Sequence, residues 1–408
     1  MSTSRSEEQG AYPMTAAQAA IAHDPSWERA LDEVLSRTAG MTGESGRPDL
    51  VFLFASAAYA RDYPALVRRA QEATNASVLV GCSGQGIVGP GREIENEPAI
   101  SLLALWLPGA ELRPALINQR TLEACEEPGD WYDVTGVDRD AVNGWFLFGD
   151  PFGIDAERLV DALSDAYPGT PLIGGLASGD PHVPRTFVFL DGNVYTEGAV
   201  AVALGGAYTV RTVVSQGAEP IGEPWTITAA DEHIVHTIGQ RPALEILVET
   251  FDGLTPELKE RARRNLLVGL VMDEYQDEFR RGDFLIRNVT GYDPGTGALA
   301  IGAHPRVGQT IQFQLRDGRA ADEELRTLLS QARGTLGDAK PIAALVCCCN
   351  GRGAGLFGEP DHDARVIGEQ FQLQSLAGFF CNGEIGPVGL RNYLHGYTAS
   401  IALIVPKA

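Results

Sequence analysis

Lysine is nearly missing from this chain of 408 residues: Lys259, Lys340 and Lys407 are the only three, and arginine supplies the rest of the positive charge. Against 54 acidic residues, the 32 basic ones leave a formal net charge of −22. Nucleic-acid binding needs clustered Lys and Arg against phosphate, so no nucleic-acid partner is expected, and anionic membrane surfaces are disfavoured too. No run approaches the roughly 20 apolar residues that span a bilayer, so membrane insertion is not expected. Residues 1–25 have no apolar signal core and carry Glu7 and Glu8, and they read as a flexible N-terminal tail without a secretory leader. Six cysteines in so long a chain make no disulfide framework. A reducing, cytoplasmic setting is the expectation.

What the chain does have is self-similarity. Val80-Gly-Cys82-Ser-Gly84-Gln-Gly86 returns as Phe379-Phe-Cys381-Asn-Gly383-Glu384-Ile385. Laid over each other without a gap, Cys82 falls on Cys381, Gly84 on Gly383 and Ser101 on Ser400. Both copies run on into apolar segments, Ala99 to Leu105 and Thr398 to Ile404. Repeated units pack about shared interfaces, and ligands often sit there.

Three segments share a strand–helix–strand–strand layout. The first runs from Leu50 to Phe54, a helix near Pro64 to Thr74, Ser77 to Val80, then Ile100 to Leu105. The second is Gly144 to Phe148, a helix over Asp155 to Tyr167, Leu172 to Leu176, then Ala199 to Ala203. The third is Ile342 to Val346, a helix near Asp363 to Phe371, Ala377 to Phe380, then Ala399 to Val405. Apolar spacing carries the helices and short apolar runs between turn residues carry the strands. Only the first and third share turn residues in detail, and the second is either a relative or a coincidence of α/β architecture. Between the second and third, Asp231 to Val248 reads as a helix with His233 and His236 on one face. Four apolar runs from Leu266 to Leu315 then read as an antiparallel meander, and Glu323 to Ala332 as a helix. The fold expected is α/β, with mixed β-sheets flanked by helices and two domains, residues 26–222 and 223–408, meeting along a face lined by the glycine turns.

Several motifs invite chemistry. Gly84 to Gly89 and Gly353 to Gly358 both spell GxGxxG, but Pro90-Gly91 and Glu359-Pro360 follow where a nucleotide-binding helix would have to run, so plain glycine loops are expected. The second loop precedes a helix near Asp361 or Asp363, and its free N–H groups with Arg352 suit an anion; alternatively, Arg352 pairs with a structural carboxylate. Cys347-Cys348-Cys349 alternates faces in a strand and is poorly spaced for zinc. Cys381, His395 and Glu384 could in principle serve as nucleophile, base and orienter, yet no thiol-enzyme motif accompanies them. Glu384 either holds a ligand's ammonium group or braces its own turn.

Together Gly81-Cys-Ser-Gly84, Gly174-Gly175, Ser215 to Gly222, Cys349-Asn-Gly-Arg352, Gly378 to Glu384 and Leu394-His-Gly-Tyr-Thr398 resemble the FIST family, with its N-terminal and C-terminal FIST domains in tandem. The resemblance covers roughly Ser26 to Val405. It implies a sensory or signal-transduction protein that reversibly binds a small polar metabolite, an amino acid being the family-based expectation. With no further module in view, a separate signalling protein would read the ligand. The contact residues expected are Cys82, Ser83, Gly84, Gly174, Gly175, Arg352, Cys381, Asn382 and Glu384, with no cofactor, metal or catalytic residue. The rivals are a cysteine-dependent enzyme using Cys381 and a protein-interaction scaffold without a metabolite.

Overall fold

The computed structural model describes residues 16–39, 46–337 and 339–407. Its first unit comprises β1 (Ala16–His23), α1 (Trp27–Thr38), β2 (Leu50–Ser56), α2 (Tyr63–Thr74), β3 (Val78–Gly84), a hairpin of β4 (Gly86–Gly89) and β5 (Arg92–Glu95), and β6 (Ala99–Trp106). The second repeats the plan with β7 (Ala110–Ile117), α3 (Gln119–Ala124), α4 (Pro128–Thr135), β8 (Gly144–Gly149), α5 (Ala156–Ala166), β9 (Leu172–Leu176), the hairpin β10 (Val188–Leu190) and β11 (Asn193–Tyr195), and β12 (Ala199–Gly206).

The third opens with β13 (Tyr208–Ser215) and is then interrupted. The insert holds β14 (Ala218–Asp231), β15 (Ile234–Ile238), β16 (Arg241–Pro242), α6 (Ala243–Asp252), α7 (Pro256–Asn265), β17 (Leu266–Val271), β18 (Phe284–Asp293), β19 (Ala298–Ile301) and β20 (Thr310–Arg316). The third unit resumes with α8 (Gly318–Leu336), β21 (Ala343–Cys349), the single turn α9 (Ala354–Phe357), α10 (His362–Phe371), β22 (Leu376–Cys381), the hairpin β23 (Glu384–Val388) and β24 (Arg391–His395), and β25 (Ala399–Pro406).

Each unit builds the same mixed sheet and completes it with a neighbour's hairpin. The orders are β1-β6-β2-β3-β10-β11, β7-β12-β8-β9-β23-β24 and β13-β25-β21-β22-β4-β5. The exchange is cyclic: the first unit lends its hairpin to the third, the third to the second, and the second to the first. The pairs β2/β3, β8/β9 and β21/β22 are parallel. At one point in each, the two strands approach so closely that only glycine fits. A Cβ on Gly81, Gly174 or Gly378 would fall 1.8 Å from the carbonyl oxygen of Leu53, Leu147 or Val346 respectively.

Those three glycines fix the correspondence between units. The second unit is a true repeat. Cys82 corresponds to Gly175 and Phe379, while Cys381 corresponds to Gly84 and Ala177, so the gapless match of the two cysteines is off by two residues. Side chains alternate along a strand, so a slip of two leaves both thiols facing inward. Farther along, Ser101 opposite Phe54 and Ser400 opposite Cys347 do correspond.

The inner faces of the three sheets meet in one core that includes Phe54, Cys82, Phe148, Cys347, Phe379 and Cys381. The rings of Phe54, Phe148 and Phe379 pack with centroids 5.0 to 5.9 Å apart. Outer faces bury the apolar stripes of helices: α1 and α2 on the first sheet, α4 and α5 on the second, α8 and α10 on the third. Helix α5 shows why such segments form. Asp155 caps its start by accepting from the Arg158 N–H, and Leu159, Val160 and Leu163 recur on one buried face.

The insert is a seven-stranded antiparallel sheet, β14-β20-β17-β18-β19-β15-β16, and the expected meander is its β17 to β20 portion. Two expectations change. Ala16–His23, read as tail, is the edge strand β1. His233 and His236 sit on the β14–β15 hairpin, tightened by Glu232 at φ +47°, and the helix begins only at Ala243. The β-branched run Ile234-Val-His-Thr-Ile238 favours the strand. No helix among the described residues is long and apolar enough to cross a membrane.

Candidate functional site

The parallel strand pairs end on one side of the molecule, and there the second and third units meet the insert. A pocket of about 400 Å³ opens at that seam. Its wall on the core side is Cys349, Asn350, Cys381 to Glu384 and Leu394 to Tyr397; the insert supplies Ile286, Arg287, Asn288 and Gly302. Smaller hollows of about 290 and 170 Å³ adjoin it, sharing Asn382 and Asn350 respectively, and Gln85 lines both of them. Larger grooves, about 610 and 580 Å³, run beside β13 and α8. The seam pocket is nevertheless the better candidate, because buried polar groups converge on it.

Glu384 and His395 face each other across the β23–β24 hairpin. Both are buried. Glu384 Oε2 accepts from the Thr398 N–H at 3.0 Å, and Oε1 has no partner. Burial raises its pKa to about 8, against the opposing pull of the Thr398 bond and of Arg316, Arg352 and Arg287. His395 Nε2 lies 3.0 Å from the Gly386 carbonyl. A carbonyl only accepts, so Nε2 carries the proton and Nδ1, which has no partner, presents a lone pair. Burial lowers the His395 pKa to about 4, so the ring is neutral.

Two arginines of the insert stand at this seam. Arg287 donates from Nη2 to the Leu394 carbonyl at 2.9 Å and lies 3.6 Å from Glu157 on α5, tying the insert to the third and second units. Arg316 lies over the Tyr397 ring at 4.9 Å, and its Nε and Nη2 are buried without partners. Asn350 Oδ1 is likewise unpartnered, while its Nδ2 donates to Asn382 Oδ1 at 2.8 Å. Buried polar groups are normally satisfied, so these groups are open to water or to a ligand in the pocket.

The expected contact residues divide. Cys381, Asn382 and Glu384 line the pocket. Gly175 lies directly beneath Cys381, and a Cβ there would come within 2.7 Å of the thiol; Gly174 is held by the Leu147 backbone. Cys82 is fully buried in the central core with Cys381, so the two cysteines share packing, and only Cys381 reaches the pocket. Ser83 Oγ donates to the Ser178 carbonyl at 2.8 Å and accepts from the Phe187 N–H, while Gly84 is packed against Gly86 and Phe379.

Arg352 grips Asp363 with Nε at 2.6 Å and Nη2 at 2.9 Å, both side chains buried. Burial alone would raise the Asp363 pKa; the guanidinium and the His362 bond outweigh it and hold the carboxyl well below its usual range. The loop expected to receive an anion is filled from within. Glu95 takes the Ala354 N–H and Glu93 takes the Ala364 N–H. Gly86–Gly89, within the first GxGxxG, is strand β4.

The arrangement argues against an activated thiol. Cys381 is buried, its thiol points to the Phe379 carbonyl, and burial with Cys347 and Glu384 beside it pushes its pKa well up. A nucleophilic cysteine needs the opposite environment. Cys347 and Cys348 fall on opposite faces of β21, in the central and outer cores.

Sequence reasoning missed Arg287, Arg316, Asn350 and Tyr397. A lone arginine inside the apolar run Phe284-Leu-Ile-Arg-Asn-Val289 was the available signal for Arg287. Nothing local marks Arg316, whose role comes from where β20 ends.

The molecule is thus a two-part α/β protein, a cyclic three-unit body carrying a β-sheet insert, with a polar pocket where they join. The FIST N domain model matches residues 49–241 and the FIST C domain model residues 243–387, and the chain belongs to the FIST family. FIST domains are associated with sensory and signal-transduction roles. "Uncharacterized protein Rv0628c" of Mycobacterium tuberculosis is 41% identical over 365 residues, 88% of this chain and 92% of that one. "Uncharacterized protein Mb0898c" of Mycobacterium bovis is 38% identical over 367 residues, 90% of this chain and 92% of that one. Among solved structures, a cyanuric acid hydrolase from A. caulinodans aligns over 97% of this chain and 100% of that chain, at 9% identity and a TM-score of 0.38, too low to carry an argument.

Proposed function

We propose that this protein is a cytoplasmic sensor that reversibly binds a small polar metabolite in the seam pocket and relays its presence to a separate signalling protein. The observation that carries this reading is the concentration of unsatisfied groups. Of the thirteen buried side-chain N and O atoms without a partner among the described residues, three belong to the lining residues Asn350, Glu384 and His395, and two more to Arg316 behind Tyr397. The pocket's volume suits a metabolite of a few heavy atoms to a few tens. A ligand touching both Arg287 on the insert and Glu384 on the hairpin would tighten the seam, shifting the population toward a closed form that a partner can read. Cys381, Asn382 and Glu384 are the contacts retained from the sequence. Cys82, Ser83, Gly84, Gly174, Gly175 and Arg352 support the pocket from behind. An amino acid is the ligand class the family suggests.

Thermal-shift measurement across amino acids and small organic acids tests the reading. A true ligand raises Tm with concentration as it saturates, by the equivalent of about 2.7 kcal/mol at a hundredfold excess over Kd. No shift from any of them would leave the scaffold reading ahead.

A further inference from the structure

We propose that the pocket's ligand is a small organic carboxylate lacking an ammonium group, gripped through the Nε/Nη2 edge of Arg316. The inference rests on the seam pocket being the ligand site, and it narrows the ligand's chemistry.

The first support is geometric. Nε and Nη2 form the guanidinium edge that takes a carboxylate with two parallel hydrogen bonds. The protein uses that edge once already: Arg352 holds Asp363 with the same two atoms, at 2.6 and 2.9 Å. On Arg316 the same two atoms are the unpartnered ones. Arg316 stands just behind the pocket lining: Tyr397 beneath its guanidinium lines the pocket, as do its neighbours Cys349 and Glu384, so a ligand carboxylate passing Tyr397 would meet this edge.

The second support is charge. The groups around the unpartnered Glu384 Oε1 are Arg316, Arg352 and Arg287, with Cys349, Cys381, Tyr397 and His395 beside them. Arg352 is neutralised by Asp363, and Arg287 faces the exposed Glu157. Arg316, just behind the lining, has no ion pair among the described residues, and Glu384 holds its proton at neutral pH. The interior is therefore electropositive, although the chain as a whole carries −22. An ammonium group would enter beside guanidinium charges and would have to ionise Glu384 first. A second carboxylate or a carbonyl would instead accept from the protonated Glu384, while a hydroxyl would donate to His395 Nδ1.

Matched pairs give the test: succinate against aspartate and glutarate against glutamate, which differ only by the ammonium group, titrated calorimetrically into the full chain at pH 7. The expected result is dicarboxylate binding at least about tenfold tighter, a gap of about 1.4 kcal/mol. Arg316→Met and Arg316→Lys should each weaken it about tenfold or more, the lysine because it cannot offer two parallel donors. Should Arg316→Met fail to fold, the lysine variant carries the test. Amino acids that bind more tightly, and lose binding in Glu384→Gln, would overturn the inference and leave the pocket reading standing. Dicarboxylate binding indifferent to Arg316 would also overturn it. If neither class binds at millimolar concentration, the inference and the pocket reading fall together.

Discussion

Replacing Glu384 by glutamine should flatten the dependence of stability on pH. The carboxyl is fully buried, and its pKa stands at about 8 instead of 4.5. An acid whose pKa is raised on folding binds its proton more tightly in the folded state. Its contribution is whole below about 4.5, where the unfolded carboxyl titrates, and is lost as pH rises through about 8. One pKa unit is about 1.4 kcal/mol, so between pH 6 and pH 8 this one group should remove about 2 kcal/mol of stability. Glu93, whose pKa burial also raises to about 8 with Asp363 adding to the effect, contributes in the same direction. The slope of the parent protein is therefore a sum, and only the difference between parent and variant isolates Glu384. Urea unfolding at pH 6, 7 and 8 reads it. The variant's slope should be shallower by about 1 kcal/mol per pH unit, and the amide keeps an oxygen for the Thr398 N–H. Parallel slopes would mean that Glu384 is ionised throughout, and the electrostatic account of the pocket would be wrong.

The remaining expectations concern packing and reactivity. Gly174→Ala should lower stability by about 4 kcal/mol or more or abolish soluble expression, because its Cβ would sit 1.8 Å from the Leu147 carbonyl, whereas Gly129→Ala, with open space around it, should be neutral in the same melt. Asp363→Asn should cost about 3 to 5 kcal/mol by leaving Arg352 buried without its counter-charge, and the paired change Arg352→Met with Asp363→Leu should recover part of that loss in urea unfolding. Under iodoacetamide at pH 7.5, peptide mapping should find labelling confined to Cys125 and Cys349, the cysteines nearest the surface, and slow there because burial raises the pKa of both thiols, Cys349 to about 11, with Cys381 protected; rapid labelling of Cys381 would revive the thiol-enzyme reading.

Much of the architecture was legible because three strand–helix–strand–strand passages repeat an apolar rhythm that survives loss of sequence identity. The second unit was hard to recognise because Gly174-Gly175 stands where the first unit has Gly81-Cys82 and the third has Gly378-Phe379. The space beside Gly175 is taken by Cys381 from the third unit, whose sulfur would lie 2.7 Å from a Cβ there. The opening strands were obscure for local reasons. Ala16–His23 is alanine-rich, and Ala110–Ile117 carries Pro114 and alternating charge, so neither announces a strand. The pocket was half visible. Cys381, Asn382 and Glu384 belong to a glycine turn that sequence can flag. Their opposite wall comes from strands inserted more than sixty residues earlier, and only the packing of that sheet on Tyr397 brings Arg287 and Arg316 to them.

The lending of hairpins around the circle ties the fate of each unit to the other two. A fragment covering only residues 49–241 would keep β4 and β5 but lose β22, keep β9 but lose β23, and keep β13 but lose β25. Three raw strand margins would then be open to aggregation. The seam between the N and C family segments is thus a division of the text and not of the folding unit. Genetic fusion to other modules has safe joints only outside the whole interlocked body.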